Sequence, residues 1–68
     1  MHSMAKRFID VLEEDIRHWE AAAAACDSIA PDLAGESQRQ EWHNRAKEYR
    51  TLAEGHKTLI NQVKSENI

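Results

Sequence analysis

The residues best suited to chemistry in this sequence are histidines and carboxylates at helical spacings. Asp15 and His18 lie three residues apart, and Glu14 lies four residues before His18. An acid and a histidine at this spacing share one helical face, as in the Glu-x-x-His motif with which di-iron bundles bind metal. Here the acid is Asp and the motif has no second copy, so a solvated polar face is the alternative. Asp15 and His18 are candidate metal ligands on this pattern.

His56 is the other candidate, because it stands in the central column of helix 2 with Leu52, Ala53, Leu59 and Ile60 around it. A buried imidazole favours its neutral form and needs a partner for its N–H. It could serve as a pH switch, or as a metal ligand repeated by symmetry across a dimer. The alternative is a structural histidine that hydrogen-bonds to a neighbouring helix.

No catalytic arrangement accompanies these residues. Cys26 is the single cysteine, has no basic neighbour and lies near a predicted helix C-terminus, which does not favour a reactive thiolate. The sequence contains no glycine-rich phosphate loop, no Ser-His-Asp pattern and no CxxC motif. Trp19 and Trp42 fit the apolar series and are interpreted as core anchors. We therefore expect neither an enzyme nor a bound cofactor.

Charge and hydropathy exclude further partner classes. Twelve acidic and nine basic residues give a net charge of −3, which provides no basic surface for nucleic acid. No apolar run approaches the ~18 residues that span a bilayer, and no apolar segment of a signal peptide follows the N-terminus. A lone cysteine cannot form an internal disulfide. We expect a cytoplasmic protein that binds neither nucleic acid nor membrane.

The elements that must position these residues are two helices separated by one break. Pro31 disfavours helix at the residue before it and removes a backbone donor, and Gly35 follows closely. Ser37 and Gln40 have the spacing of a capping box, which predicts a helix start at Ser37. The remaining sequence is rich in helix-forming residues. We predict a single all-α domain with helix 1 over 4–28, a loop over 29–36 and helix 2 over 37–65.

Both predicted helices carry an apolar repeat close to 3.5 residues. The repeat of helix 1 consists of Ala5, Ile9, Leu12, Ile16, Trp19, Ala23 and Cys26. The central column of helix 2 consists of Trp42, Tyr49, His56 and Val63, seven residues apart. Such a repeat is typical of helices that pack along their whole length, and a short connection makes them antiparallel.

A turn centred near Asp32 also predicts which residues face one another. In this register Trp19 faces Ala46, His56 faces Ile9, and Glu20 lies near Arg45. Large residues then meet small ones, which is how a core fills space.

One hairpin is too small to cover its own apolar stripe. Phe8, Val11, Leu52 and Leu59 would remain exposed, and large exposed apolar patches mark interaction surfaces. We therefore predict a homodimer that forms a four-helix bundle, since two-fold assembly is the commonest. The predicted interface comprises Phe8, Val11, Leu12, Ile16, Trp19, Trp42, Tyr49, Leu52, His56, Leu59 and Val63.

These observations favour a small non-enzymatic protein–protein interaction module that self-associates. One alternative is a four-helix bundle that binds a metal or small ligand through His56, or through Asp15 and His18. A second alternative is a regulatory subunit whose hairpin pairs with a different chain.

Overall fold

The computed structural model describes residues 3–66, which form two long helices joined by a short turn. Helix α1 spans Ser3–Ile29, a 3-10 turn spans Ala30–Asp32, and helix α2 spans Glu36–Glu66. The two helices pack against each other as an antiparallel hairpin, and no strand occurs within 3–66. The predicted all-α hairpin is confirmed, with each helix end within one residue of the expected position.

The connection between the helices is held by hydrogen bonds to its carbonyl groups. Pro31 lies within the 3-10 turn, which closes where the Leu33 N–H donates to the Ala30 carbonyl at 3.2 Å. The Arg39 guanidinium donates to the carbonyl oxygens of Leu33 at 2.7 Å and Ala34 at 3.1 Å. One side chain of α2 thus satisfies the polar backbone that reverses the chain.

The start of α2 differs from the prediction. The helix begins at Glu36, and the Arg39 N–H donates to the Gly35 carbonyl at 3.0 Å. Ser37 therefore lies inside the first turn rather than at the cap, and the predicted capping role of Ser37 is wrong. Glu36 places a negative charge in the first turn, where it suits the helix dipole.

The core between the helices is thin and rich in alanine. The most completely buried residues described are Ala23, Ala30, Ala46 and Ala53, at 0–1% exposure. The larger core residues Leu12, Ile16, Cys26 and Ile60 complete it, each still 6–8% exposed. Small side chains at the contact let the two helices approach closely, but they bury little apolar area. The stabilisation available from this core alone is correspondingly small.

The helices pair in a register shifted from the predicted one. Trp19 stacks on Tyr49 with ring centroids 5.4 Å apart and packs against the cluster that contains Ala53, so its predicted pairing with Ala46 is wrong. The shift is about one helical turn. Its cause is the 3-10 turn, which continues the course of α1 past the expected centre at Asp32, so that the chain reverses over residues 33–35.

The hairpin is long and narrow. Its principal extents are 54 × 14 × 10 Å and its radius of gyration is 15.7 Å. A compact domain of this length would have a radius of gyration of about 11 Å. Within residues 3–66, neither helix contains a stretch that is both long and apolar enough to cross a bilayer.

Candidate functional site

The two sides of the hairpin differ in chemistry, and the difference follows from contacts between the helices. On one side, Asp15 of α1 meets His56 of α2. On the other side, Asp27 and Glu20 of α1 meet His43, Arg50 and Lys57 of α2. Residues three, four or seven positions apart share a helical face. These contacts therefore assign most other outward residues to one side or the other.

All the large apolar side chains that are exposed within the described residues lie on the side of the Asp15–His56 pair. Phe8 and Val11 precede Asp15 by seven and four residues, while Leu52 and Leu59 flank His56 at four and three. We call this surface the apolar flank; it comprises Met4, Phe8, Val11, Ile29, Leu52 and Leu59 around Asp15 and His56.

The four residues predicted to stay exposed in a single hairpin are exposed. Phe8 is 44% exposed, Val11 58%, Leu52 44% and Leu59 38%. The other predicted interface residues lie deeper: Leu12 and Ile16 are buried within the hairpin, and Trp19, Trp42, Tyr49, His56 and Val63 are half-buried. The predicted interface thus divides into a contact inside one chain and a surface open to a partner.

His56 lies at the centre of the apolar flank and has two polar neighbours. Its Nδ1 lies 2.9 Å from the Leu52 carbonyl oxygen, one turn earlier in α2. Its Nε2 lies 3.6 Å from Asp15 Oδ2 across the helix contact. The predicted position of His56 opposite Ile9 is therefore wrong, because of the same shift in register.

The candidate metal ligands are only partly brought together. The structure brings Asp15 within 3.6 Å of His56, and His18 is exposed in the same shallow groove as Asp15, beside Val11 and Glu14. Among the described residues, no group of three or more His, Cys, Asp or Glu side chains is placed to hold a metal ion. One chain therefore offers two converging ligands at this position.

The opposite side carries a row of ion pairs between the helices. We call this surface the ion-pair flank; it comprises Glu20, Asp27, His43, Arg50 and Lys57. Asp27 Oδ1 lies 3.0 Å from His43 Nδ1, and Asp27 Oδ2 accepts a hydrogen bond of 2.6 Å from Arg50. The hydrogen bonds with His43 and Arg50 lower the pKa of Asp27 below its ordinary value. A single carboxylate near the end of α1 thus contacts two residues of α2 that are two helical turns apart.

Lys57 continues the ion-pair flank toward the open end of the hairpin. Its Nζ lies 3.0 Å from Glu20 of α1 and 3.1 Å from Glu54 of its own helix. These two carboxylates raise the pKa of Lys57 above its ordinary value, the hydrogen bond with Glu20 contributing most. The predicted proximity of Glu20 to Arg45 is wrong.

Arg45 lies elsewhere on α2 and interacts within its own helix. Its guanidinium pairs with Glu41 at 3.1 Å and lies 4.9 Å above the Trp42 ring. Sequence reasoning missed the ion-pair flank, although the columns were visible. Acidic residues recur seven apart on helix 1, at Glu20 and Asp27, and basic residues recur seven apart on helix 2, at His43, Arg50 and Lys57.

Comparison of the chain with protein-family models, with curated proteins and with solved structures finds no match.

Proposed function

We propose that the chain is a non-enzymatic interaction module that pairs with a second copy of itself through the apolar flank. Two hairpins joined in this way form a four-helix bundle. The observation that carries the proposal is the segregation of surfaces: the exposed large apolar side chains described share one flank, and the ion pairs between the helices other than Asp15–His56 occupy the opposite one.

The area of the hairpin supports a partner of its own size. The chain exposes 5242 Å², whereas a folded monomer of 7.8 kDa exposes about 4,400 Å². The excess is close to the ~800 Å² that each partner loses in a standard interface. The hairpin is 54 Å long and 14 Å across, so its broad face measures about 750 Å². A second hairpin has the same length and width, so one copy covers the face from end to end.

The thin core supplies the energetic reason. Four alanines and four larger residues bury little apolar area in a chain of 68 residues. Chains of this size usually need a disulfide, a metal or a partner subunit to be stable. The single cysteine leaves no internal disulfide. We accordingly expect the dimer to act in the cytoplasm, where proteins are seldom cross-linked by disulfides.

Sedimentation equilibrium on the wild type and on Leu52→Glu tests the proposal. A carboxylate at the centre of the interface would lose its hydration, so Leu52→Glu should weaken dimerisation at least about 30-fold, as expected for the loss of a residue worth ~2 kcal/mol. Thr51→Glu is the matched control, since it adds the same charge one residue away, on the side of the ion-pair flank and four residues from Lys47. We expect Thr51→Glu to dimerise like the wild type.

Two outcomes would contradict self-association through the apolar flank. A wild-type chain that is folded and monomeric at tens of micromolar would remove the basis for the dimer. A wild-type dimer that Leu52→Glu leaves intact would mean that the copies associate elsewhere. A monomer that becomes ordered only with a different purified chain would favour the regulatory-subunit alternative in its place.

A further inference from the structure

The contact of His56 with the Leu52 carbonyl favours the tautomer that leaves Nε2 free to bind a metal ion. The Leu52 carbonyl oxygen can only accept a hydrogen bond, so the hydrogen of the neutral ring resides on Nδ1, 2.9 Å away. The lone pair then resides on Nε2. Metal-ligating histidines are oriented in this way, with the second ring nitrogen donating to a carbonyl or carboxylate.

The spacing of Nε2 from Asp15 fits two ligands of one ion. The two atoms are 3.6 Å apart, which is too long for a hydrogen bond. Two ligand atoms bound to a tetrahedral Zn²⁺ at about 2.0–2.2 Å are separated by about 3.3–3.5 Å. A cation between Nε2 and the carboxylate would therefore require little movement of either side chain.

The second His–Asp pair of the hairpin, His43–Asp27, differs because both carboxylate oxygens already have partners. His43 lies 3.0 Å from Asp27, within hydrogen-bond distance, and the other oxygen of Asp27 is taken by the Arg50 guanidinium. A cation at Asp27 would meet the positive charge of Arg50. This pair lacks the features found at His56.

We propose that Asp15 and His56 are half of a Zn²⁺ site, which a second copy of the chain completes with its own Asp15 and His56. The inference rests on the proposed self-association through the apolar flank. One chain contributes two ligands, whereas tetrahedral Zn²⁺ takes four. Asp15 is near the middle of α1. If two hairpins pair through their apolar flanks with their ends aligned, the Asp15–His56 pairs of both copies therefore lie at the same position along the bundle. Two imidazole nitrogens and two carboxylate oxygens suit Zn²⁺.

Calorimetric titration of the EDTA-treated, dialysed protein with ZnCl₂ tests the site. We expect one Zn²⁺ per two chains, and at least about tenfold weaker binding in both His56→Gln and Asp15→Asn. His43→Gln is the matched control, because it removes the histidine of the other His–Asp pair. His18→Gln removes the exposed histidine one turn from Asp15. Both controls should bind like the wild type, and circular dichroism verifies that each variant is folded.

Sedimentation in EDTA separates failure of the site from failure of the dimer. A dimer in EDTA that binds no Zn²⁺, binds one per chain, or binds equally well as His56→Gln would overturn the site and leave the proposed function standing. A chain that is monomeric in EDTA and dimerises only when it binds one Zn²⁺ per two chains would support the Zn²⁺ site. It would also show that the apolar flank alone is not sufficient for dimerisation. A monomer with and without Zn²⁺ would overturn both.

Discussion

Asp27 joins the two helices with both of its carboxylate oxygens. It contacts His43 at 3.0 Å and Arg50 at 2.6 Å, two residues seven positions apart on α2. Because these partners favour the ionised form, the pKa of Asp27 is lower in the folded chain than in the unfolded one. An ionised group with a lowered pKa stabilises the folded state above its unfolded pKa, and this contribution disappears as the pH falls through the folded value.

The pH dependence of Asp27→Asn measures this contribution. We expect the variant to melt at a lower temperature than the wild type at pH 7, where Asp27 is ionised. The gap should narrow as the pH falls below 3.8, the unfolded value, because the wild type then loses its charge. Thermal unfolding of both proteins across this range is the measurement. A gap of constant size would show that the carboxylate acts through its shape and not through its charge.

Gly55 lowers the stability of α2 relative to alanine, and no described contact compensates for this loss. It is exposed within α2, and an added Cβ would meet nothing within 4 Å. Gly55→Ala should therefore increase the free energy of unfolding by about 0.5–1 kcal/mol, through reduced backbone entropy of the unfolded chain. Urea denaturation tests this value. A destabilised variant would indicate that another molecule approaches the backbone at Gly55 in solution.

At the scale of the elements, the helix ends were predictable and the pairing of the helices was not. Pro31 and the apolar repeats lie in the sequence itself, so the two helices could be placed within a residue. The register depends on how many residues the turn consumes. That number was set by the 3-10 geometry at Ala30–Asp32 and by Arg39 binding the loop carbonyls, neither of which has a simple sequence signal.

The candidate site was likewise predictable only where it does not depend on the register of the helices. The exposure of Phe8, Val11, Leu52 and Leu59 could be predicted from the width of the apolar stripe, without knowledge of the register between the helices. The contact between Asp15 and His56 did need it, because a shift of one turn changes which side chains meet across the helices. Periodicity alone could identify His56 as unusual, but it could not supply the partner of His56.

Close approach of the helices depends on the alanines at their contact. Ala46 is completely buried, so Ala46→Leu should force the helices apart and cost about 1–3 kcal/mol of unfolding free energy. Ala21→Leu makes the same change at an exposed position of α1 and should alter stability by no more than about 0.5 kcal/mol. Chemical denaturation of both variants provides the comparison. Equal effects would mean that the contact at Ala46 is loose enough to admit a larger side chain.

At the scale of the whole molecule, two hairpins that pair flush along their flanks gain width but no length. Small-angle X-ray scattering should then show twice the mass of one chain with a longest dimension still near the 54 Å backbone extent of the hairpin, plus side chains. The melting temperature should rise with protein concentration, because dimerisation stabilises only the folded chain. A longest dimension near twice this value would indicate end-to-end association through the termini or the turn.

The burial of Cys26 has a practical consequence. Cys26 is 6% exposed and packs with Ala23 and Ala46 near the turn, and it is the only cysteine of the sequence. An alkylating reagent can reach the sulfur only when the helices separate at that end. The labelling rate of the unmodified protein therefore reports how often this end of the hairpin opens, without any introduced probe.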